Sequence, residues 1–370
     1  MANSKFMLET VLYFGAYLTL VLVLVLITFY AERKLAAFIQ DRMGPTEVGK
    51  FGTLQPVADL LKLLQKEDIV PTQADKKLFL LAPIVIFPAI FAGMVVIPLG
   101  KGLQASHIEI GVFFLLAIVS LDVVGLLMAG WGSNNKFALY GAMRSVAQIV
   151  SYEIPLVLSV LCVVVLAQSL DLTEIAVRQG LSSQESIYLF GIKALGVEVT
   201  HIGGFLTWNI VQMPLLFVVY VVFFITTLAE ANRAPFDLPE GESEIIGGFH
   251  TEYSGFRFAI FFLAEYTMMI LVSMLGIILF FGGWNTPLPN IGSVRLAEWT
   301  TGETGSFLAG FWAIFWLCSK TIIVLLLQVV VRWTYPRLRT DQLMYLAWKV
   351  LTPVTLVMLL VCSIWRVLMI

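Results

Sequence analysis

Long apolar stretches recur along the whole chain and are separated by shorter polar segments. Each stretch is close to the length of about 20 apolar residues that an α-helix needs to cross a bilayer. The pattern predicts about eight membrane-spanning helices, at residues 10–30, 78–98, 108–130, 147–168, 206–229, 257–282, 307–331 and 347–369. Prolines within or beside several of these stretches interrupt helical hydrogen bonds, so we expect tilted or kinked helices. The predicted fold class is an all-α integral membrane protein.

Residues 53–67 have a different pattern and are too short and too polar to cross a membrane. Their apolar side chains share one helical face: Leu54, Val57, Leu61 and Leu64. Their polar side chains share another face: Gln55, Asp59, Lys62 and Lys66. This periodicity predicts an amphipathic helix that lies at the membrane interface. Such a helix either anchors the surface or helps to shape the entrance to a ligand site.

Basic side chains are concentrated in every second loop between the predicted spans. The segments concerned are residues 31–77, 131–146, 230–256 and 332–346. Since positively charged loops stay on the cytoplasmic side, these segments are predicted to be cytoplasmic. An even number of spans then places both termini on the opposite side. We interpret the whole chain, 1–370, as a single transmembrane domain.

The composition agrees with a lipid environment and excludes several function classes. Hydrophobic residues make up 59% of the 370 residues and charged residues 13%, with a net charge of -2. Soluble domains have about 25% charged residues, and the net charge argues against a nucleic-acid partner. The three cysteines are far apart in sequence, and none of the three histidines lies in the middle of an apolar run. The sequence therefore predicts no metal, iron–sulfur or haem site within this chain.

Ionisable residues inside apolar spans are the sharpest functional signal. Asp122, Glu153, Glu265 and Lys320 each lie within a predicted span. A charge at the bilayer centre costs roughly 2.5 kcal/mol or more, so each group requires a partner, water or a proton. Each residue alone could belong to a structural pair. Together they favour a polar route through the membrane.

The segment 230–252 combines crowded carboxylates with Phe, Pro, Gly and Ile. Its acidic residues are Glu230, Asp237, Glu240, Glu242, Glu244 and Glu252, and its only arginine is Arg233. We interpret it as a packed loop whose carboxyl groups titrate together and pass protons. A solvated acidic face is the alternative.

Two basic clusters could face this loop or a protein partner. One is Glu32-Arg33-Lys34 with Arg42, and the other contains Arg332, Arg337, Arg339 and Asp341. Arginine forms bidentate pairs with carboxylates, which suits docking, and Arg233 is assigned to the same role. Ordinary positive-inside anchoring is the alternative for both clusters.

Four long blocks carry a family resemblance, at residues 31–67, 129–155, 229–266 and 332–353. The third block reads AEANRAPFDLPEGESEIIGGFHTEYSGFRFAIFFLAEY. With the spans between them, these blocks cover nearly the whole chain, and the sequence resembles the NADH dehydrogenase subunit 1 family. The bacterial members of this family are the H subunits of NADH–quinone oxidoreductase, respiratory complex I.

The resemblance implies a multi-pass subunit of the bacterial inner membrane, and the charge pattern then places both termini in the periplasm. It implies an enzyme subunit of a proton translocase that binds no cofactor itself and forms the channel for its quinone substrate. FMN and iron–sulfur clusters would belong to peripheral partner subunits, one of which carries the terminal cluster, and other membrane subunits would be neighbours. The resemblance places at the quinone channel Arg33, Gln40, Arg42, Asp59 and Phe236. It assigns proton coupling to Glu153, Glu230, Asp237, Glu240, Glu242, Glu244, Glu252 and Glu265.

Two other functions fit parts of the pattern. The homologous membrane subunit of a proton-pumping hydrogenase shares weaker forms of blocks 31–67 and 229–266. A transporter or proton channel acting alone fits the spans and buried acids but leaves the long cytoplasmic blocks unexplained. An inert assembly scaffold does not explain carboxylates at membrane depth.

Overall fold

The structure is a computed structural model that describes residues 2–183, 185–193, 196–238, 247–291, 294–302 and 306–369. The α-helices of this described part are α1 Ala2–Ile39, α2 Gln55–Gln65, α3 Lys76–Val96, α4 Gly111–Val119, α5 Leu121–Gly132, α6 Lys136–Ala167, α7 Leu172–Arg178, α8 Asn209–Gln212, α9 Leu216–Glu230, α10 Gly255–Phe280, α11 Leu296–Trp299, α12 Phe307–Thr334, α13 Thr340–Tyr345 and α14 Thr352–Met369. The segment Leu346–Leu351 joins α13 and α14 as a π-helix.

The starts of α3 and α6 are fixed by side chains that accept free backbone N–H groups. The Asp75 carboxylate accepts from the N–H of Lys77 at 3.0 Å and so begins α3. The Asn135 side chain accepts from the N–H of Phe137 at 2.9 Å and begins α6. These caps satisfy donors that have no partner within the helix.

Within the described residues, seven helices are long and apolar enough to span a membrane, so the chain is a multi-pass membrane protein. α4 and α5 together form one of them, and α13 to α14 another. The predicted span 206–229 corresponds to the shorter α9, which follows the turn Gly204–Thr207, α8 and Pro214. The predicted all-α membrane fold is confirmed.

Two elements differ from the apolar pattern. α1 continues to Ile39 because Glu32 and Arg33, which follow the apolar stretch, find partners on neighbouring helices. α4 ends at Val119 and α5 begins at Leu121, so the span 108–130 is two helices. α2 is amphipathic as predicted, and its leucines at positions 61 and 64 remain exposed where a membrane would cover them.

α10 forms the centre of the bundle. In its most apolar window 83% of the residues are buried, against 17% in that of α1. It packs against α1, α3, α9 and α12. Side chains on α10 therefore reach several helices, which places Glu265 and Tyr266 at a junction.

The packing of α6 against the turn Gly248–His250 leaves no room for a side chain at Gly141. A Cβ there would lie 2.7 Å from the Gly248 Cα. We expect Gly141→Ala to displace this turn and to destabilise the protein by about 1–3 kcal/mol, the usual range for overpacking. The measurement is the thermal unfolding midpoint of the purified protein. Gly15→Ala is the control, since a Cβ at Gly15 meets nothing within 4 Å; equal midpoints for both variants would contradict the prediction.

Candidate functional site

A cavity of about 610 Å³ lies between α1, α2, α10 and α12, and we call it the arginine-lined cavity. Its charged and polar lining residues include Glu32, Arg33, Arg42, Gln55, Arg233, Tyr266 and Arg332. Its apolar lining residues include Phe29, Ala36, Ala37 and Phe262. The α1 residues of these sets recur at helical spacing, which brings them onto one face. The cavity thus combines apolar side chains with a larger set of charged and polar groups.

Arg33 joins α1 to the amphipathic helix α2. Its Nη1 lies 2.7 Å from Oδ2 of Asp59, and its guanidinium lies 4.3 Å from the centroid of the Phe29 ring. Gln55 Nε2 donates to Asp59 Oδ1 at 3.0 Å. Asp59 therefore holds Arg33, whose side chain lines the cavity.

A polar cluster on the same cavity wall joins α1, α10 and α12. The Tyr266 hydroxyl donates to Glu32 Oε2 at 2.6 Å, and Arg332 forms an ion pair with the same carboxylate. The Arg233 guanidinium lies 4.3 Å from the Tyr266 ring centroid. These contacts fix the positions of two arginines that face the cavity.

Glu265 connects this cluster to the interior of the bundle. Its Oε2 lies 3.6 Å from Arg233 Nη2, and its Oε1 lies 3.2 Å from His250 Nε2. Arg233 is only 4% exposed, so its charge acts in a low-dielectric environment. Arg233 thus contacts both the arginine-lined cavity and the first buried acid.

A second, smaller cavity of about 20 Å³ lies beyond Glu265, and we call it the carboxylate cavity. Its acidic lining residues are Asp122, Glu230 and Glu265. This volume is enough for about one water molecule. Glu230 also lies within electrostatic range of Glu153. Four carboxyl groups from α5, α6, α9 and α10 are thereby brought together, although they are far apart in sequence.

The remaining predicted acids occupy separate places. Asp237 accepts from Arg337 Nη2 at 2.9 Å, and Glu252 accepts from Asn135 Nδ2 at 2.6 Å. Glu240, Glu242 and Glu244 lie outside the described residues. The described part of the acidic segment is packed: Glu230, Arg233 and Asp237 are all buried.

The other predicted site residues are divided between interior and surface. Gln40 is exposed at the end of α1, and Phe236 packs against the Tyr152 ring in a separate apolar cluster. Neither lines the arginine-lined cavity as Arg33 and Arg42 do. Of the residues assigned to docking, Arg233 and Arg332 face the interior, whereas the side chains of Arg339 and Asp341 are each 81% exposed.

Sequence reasoning did not select Glu32, Tyr266 or His250 as site residues. The hydrogen bond between Tyr266 and Glu32 joins positions 234 residues apart, and no spacing rule predicts it. The one signal in the sequence is a carboxylate at position 32, beside two basic residues near the end of an apolar run. Among the described residues there is no group of three or more His, Cys, Asp or Glu that could hold a metal ion.

Comparison with known proteins identifies the family. The sequence model of the NADH dehydrogenase family matches residues 12–363. An H subunit of NADH-quinone oxidoreductase from Cytophaga hutchinsonii, the one numbered 2, is 58% identical over 354 residues, which are 95% of this chain and 97% of that protein. The H subunit of Chlorobium luteolum is 49% identical over 338 residues, covering 91% and 84% of the two chains. The H subunit of Chlorobaculum tepidum is 48% identical over 336 residues, covering 91% and 86%. This chain therefore belongs to the NADH dehydrogenase family that includes the H subunits of bacterial NADH–quinone oxidoreductase.

Proposed function

We propose that this chain is the membrane subunit of a proton-translocating NADH–quinone oxidoreductase that forms the quinone channel. It further links quinone reduction to the proton path in the membrane. One observation carries the proposal: Arg233 lies on the wall of the arginine-lined cavity and within 3.6 Å of Glu265, which lines the carboxylate cavity. The names of the relatives favour the quinone enzyme over a hydrogenase subunit or an independent transporter.

The arginine-lined cavity has properties that suit a quinone. Its volume lies within the range of about 300–1,000 Å³ that is typical of ligand sites, which combine apolar surface with placed polar groups. Phe29, Ala36 and Phe262 offer an apolar surface, and α2 lies at its edge with exposed leucines that would contact lipid. A substrate dissolved in the bilayer would thus meet α1 and α2 first. This supports the assignment of Arg33, Arg42 and Asp59 to the quinone channel.

Electrons must reach the quinone from other subunits, because we assign no redox centre to this chain. We place FMN and the iron–sulfur clusters in peripheral partner subunits. The segment that contains Arg337, Arg339 and Asp341 is the proposed docking surface, and the exposed side chains of Arg339 and Asp341 fit that role. The proposed setting is a bacterial inner membrane with both termini in the periplasm.

The proposed coupling of quinone reduction to proton transfer follows from the negative charge that develops on the quinone. Reduction of a quinone to a quinol takes up two electrons and two protons, and negative charge develops at the ring before the protons arrive. Such charge in the cavity attracts Arg233 and Arg332, and a shift of Arg233 weakens its interaction with Glu265. Glu265 is then free to exchange a proton with Asp122, Glu230 and Glu153, since crowded buried carboxyls exchange protons as a group. The acids Asp237 and Glu252 belong to the loop that holds Arg233.

A photoreactive quinone analogue tests the proposed channel. In the purified complex, we expect the analogue to label residues 29–45, which form the end of α1 and the loop that follows it, or residues 262–266 of α10. An excess of unlabelled quinone should abolish this labelling, and peptide mass spectrometry identifies the sites. Displaceable labelling confined to other segments of the chain, or to other subunits alone, would show that the arginine-lined cavity does not take quinone.

A further inference from the structure

Lys320 is a buried cation that the proposed coupling route does not use. It lies in α12 and is 8% exposed. Its ammonium donates to three carbonyl oxygens, those of Phe281 at 2.8 Å, Gly283 at 2.9 Å and Asn285 at 2.6 Å. The ion pairs found among the described residues do not include Lys320. Backbone oxygens, not a carboxylate, therefore hold this charge.

The three carbonyls converge because the chain leaves α10 through two glycines. Gly282 and Gly283 have φ values of 74° and 55°, a left-handed conformation that residues with a side chain rarely adopt. A Cβ at Gly282 would also lie 2.6 Å from the Trp208 indole. That indole lies 4.6 Å from the Lys320 ammonium, which adds a cation–π contact.

Other side chains satisfy the neighbouring carbonyls at the end of α10. Gln179 Nε2 donates to the Ile278 carbonyl at 2.8 Å, and Asn209 Nδ2 donates to the Leu279 carbonyl at 2.7 Å. Unwound backbone inside a membrane protein requires such internal partners. Lys320 completes this set, and it is the member that contributes a positive charge.

We propose that the carbonyl oxygens of Phe281, Gly283 and Asn285 form a monovalent-cation site, and that the Lys320 ammonium is its built-in occupant. Carbonyl oxygens of unwound membrane segments and the C-terminal ends of helices coordinate small cations, because both present partial negative charge. Lys320 supplies the cation on a covalent tether, so the site stays filled without an ion from solution.

Shortening Lys320 would open the site to a free ion. A methionine side chain ends where the lysine Cε lies, so Lys320→Met leaves only the ammonium position vacant. Trp284 and Asn285 also line a cavity of about 740 Å³ at this end of the bundle, together with the exposed Lys101. The proposal requires a small cation to reach the vacated position from that cavity, and Asn285 is the residue common to the cavity lining and the three carbonyls.

The experiment compares thermal unfolding midpoints of the purified complex in choline, potassium and ammonium chloride at equal ionic strength. The wild-type midpoint is expected to be the same in all three salts. In choline chloride, Lys320→Met should unfold about 4 °C or more below the wild type. Ammonium and potassium should recover at least half of that loss, with saturation. Lys101→Met is the control and should show no difference between the salts.

Two results would overturn the proposal. One is a Lys320→Met midpoint equal to that of the wild type in choline chloride. The other is a loss that is the same in all three salts, which would make Lys320 a structural donor that a free ion cannot replace. If Lys320→Met does not assemble, Lys320→Gln, which keeps two N–H donors, is measured in the same way. Failure of both variants to assemble in cells, whose cytoplasm is rich in potassium, would also contradict a cation site.

Discussion

Glu265→Gln is expected to lower NADH–quinone reductase activity about 100-fold and to abolish the associated proton translocation. Glutamine keeps the shape of the side chain and can still bond to His250, but it neither balances the charge of Arg233 nor carries a proton. Removing one partner of a buried ion pair lowers the stability of a protein by about 3–5 kcal/mol, because the other charge is left uncompensated. A difference of about 2.7 kcal/mol in the barrier already corresponds to a 100-fold change in rate.

The measurements are quinone reductase activity and proton uptake into vesicles, with NADH oxidation by a hydrophilic artificial acceptor as the internal reference. That reference reaction bypasses the quinone and should be unchanged. Glu298→Gln is the matched control, since the Glu298 side chain is 50% exposed and, among the residues that the structure describes, pairs with the neighbouring Arg295. If Glu265→Gln assembles and pumps at the wild-type rate, Glu265 is not part of the coupling route.

The acids within the apolar spans illustrate what a single sequence can reveal. Glu153 and Glu265 could be selected because a carboxylate inside an apolar run has few explanations. The partners of Glu265 could not, since Arg233 and His250 come from the segment between α9 and α10 and meet Glu265 through tertiary packing. Sequence therefore located the charges but not the contacts that decide their roles.

Helix ends show the same limit. Apolar content ends near position 30, yet α1 continues to Ile39 because Glu32 and Arg33 are paired with α10, α12 and α2.

The position of Phe236 was also not evident from the sequence. The family resemblance assigns Phe236 to the quinone channel, but its ring contacts Tyr152 and does not line the arginine-lined cavity. Such placements depend on the chain's path after Arg233, which local pattern does not determine.

Ala36→Trp is expected to reduce quinone reductase activity to below about 1% of the wild type, because it fills the arginine-lined cavity. Ala36 lines that cavity and is 2% exposed. Side chains on a helix extend over the turn that precedes them, so the indole would cover Glu32 and Arg33. Activity with the hydrophilic acceptor should remain, and labelling by the photoreactive quinone should disappear.

Val23→Trp is the control for this substitution, since Val23 lies on the same helix and is 47% exposed on the outer surface. Val23→Trp adds the same volume on a surface that faces lipid. Reduction of quinone and of the hydrophilic acceptor should therefore both be retained. Overpacking could also destabilise α1 by about 1–3 kcal/mol, and Ala36→Trp must therefore be compared as assembled complex, at matched amounts. If the assembled variant still reduces quinone at the wild-type rate and is labelled as before, the substrate reaches its electrons by a route that avoids this face of α1.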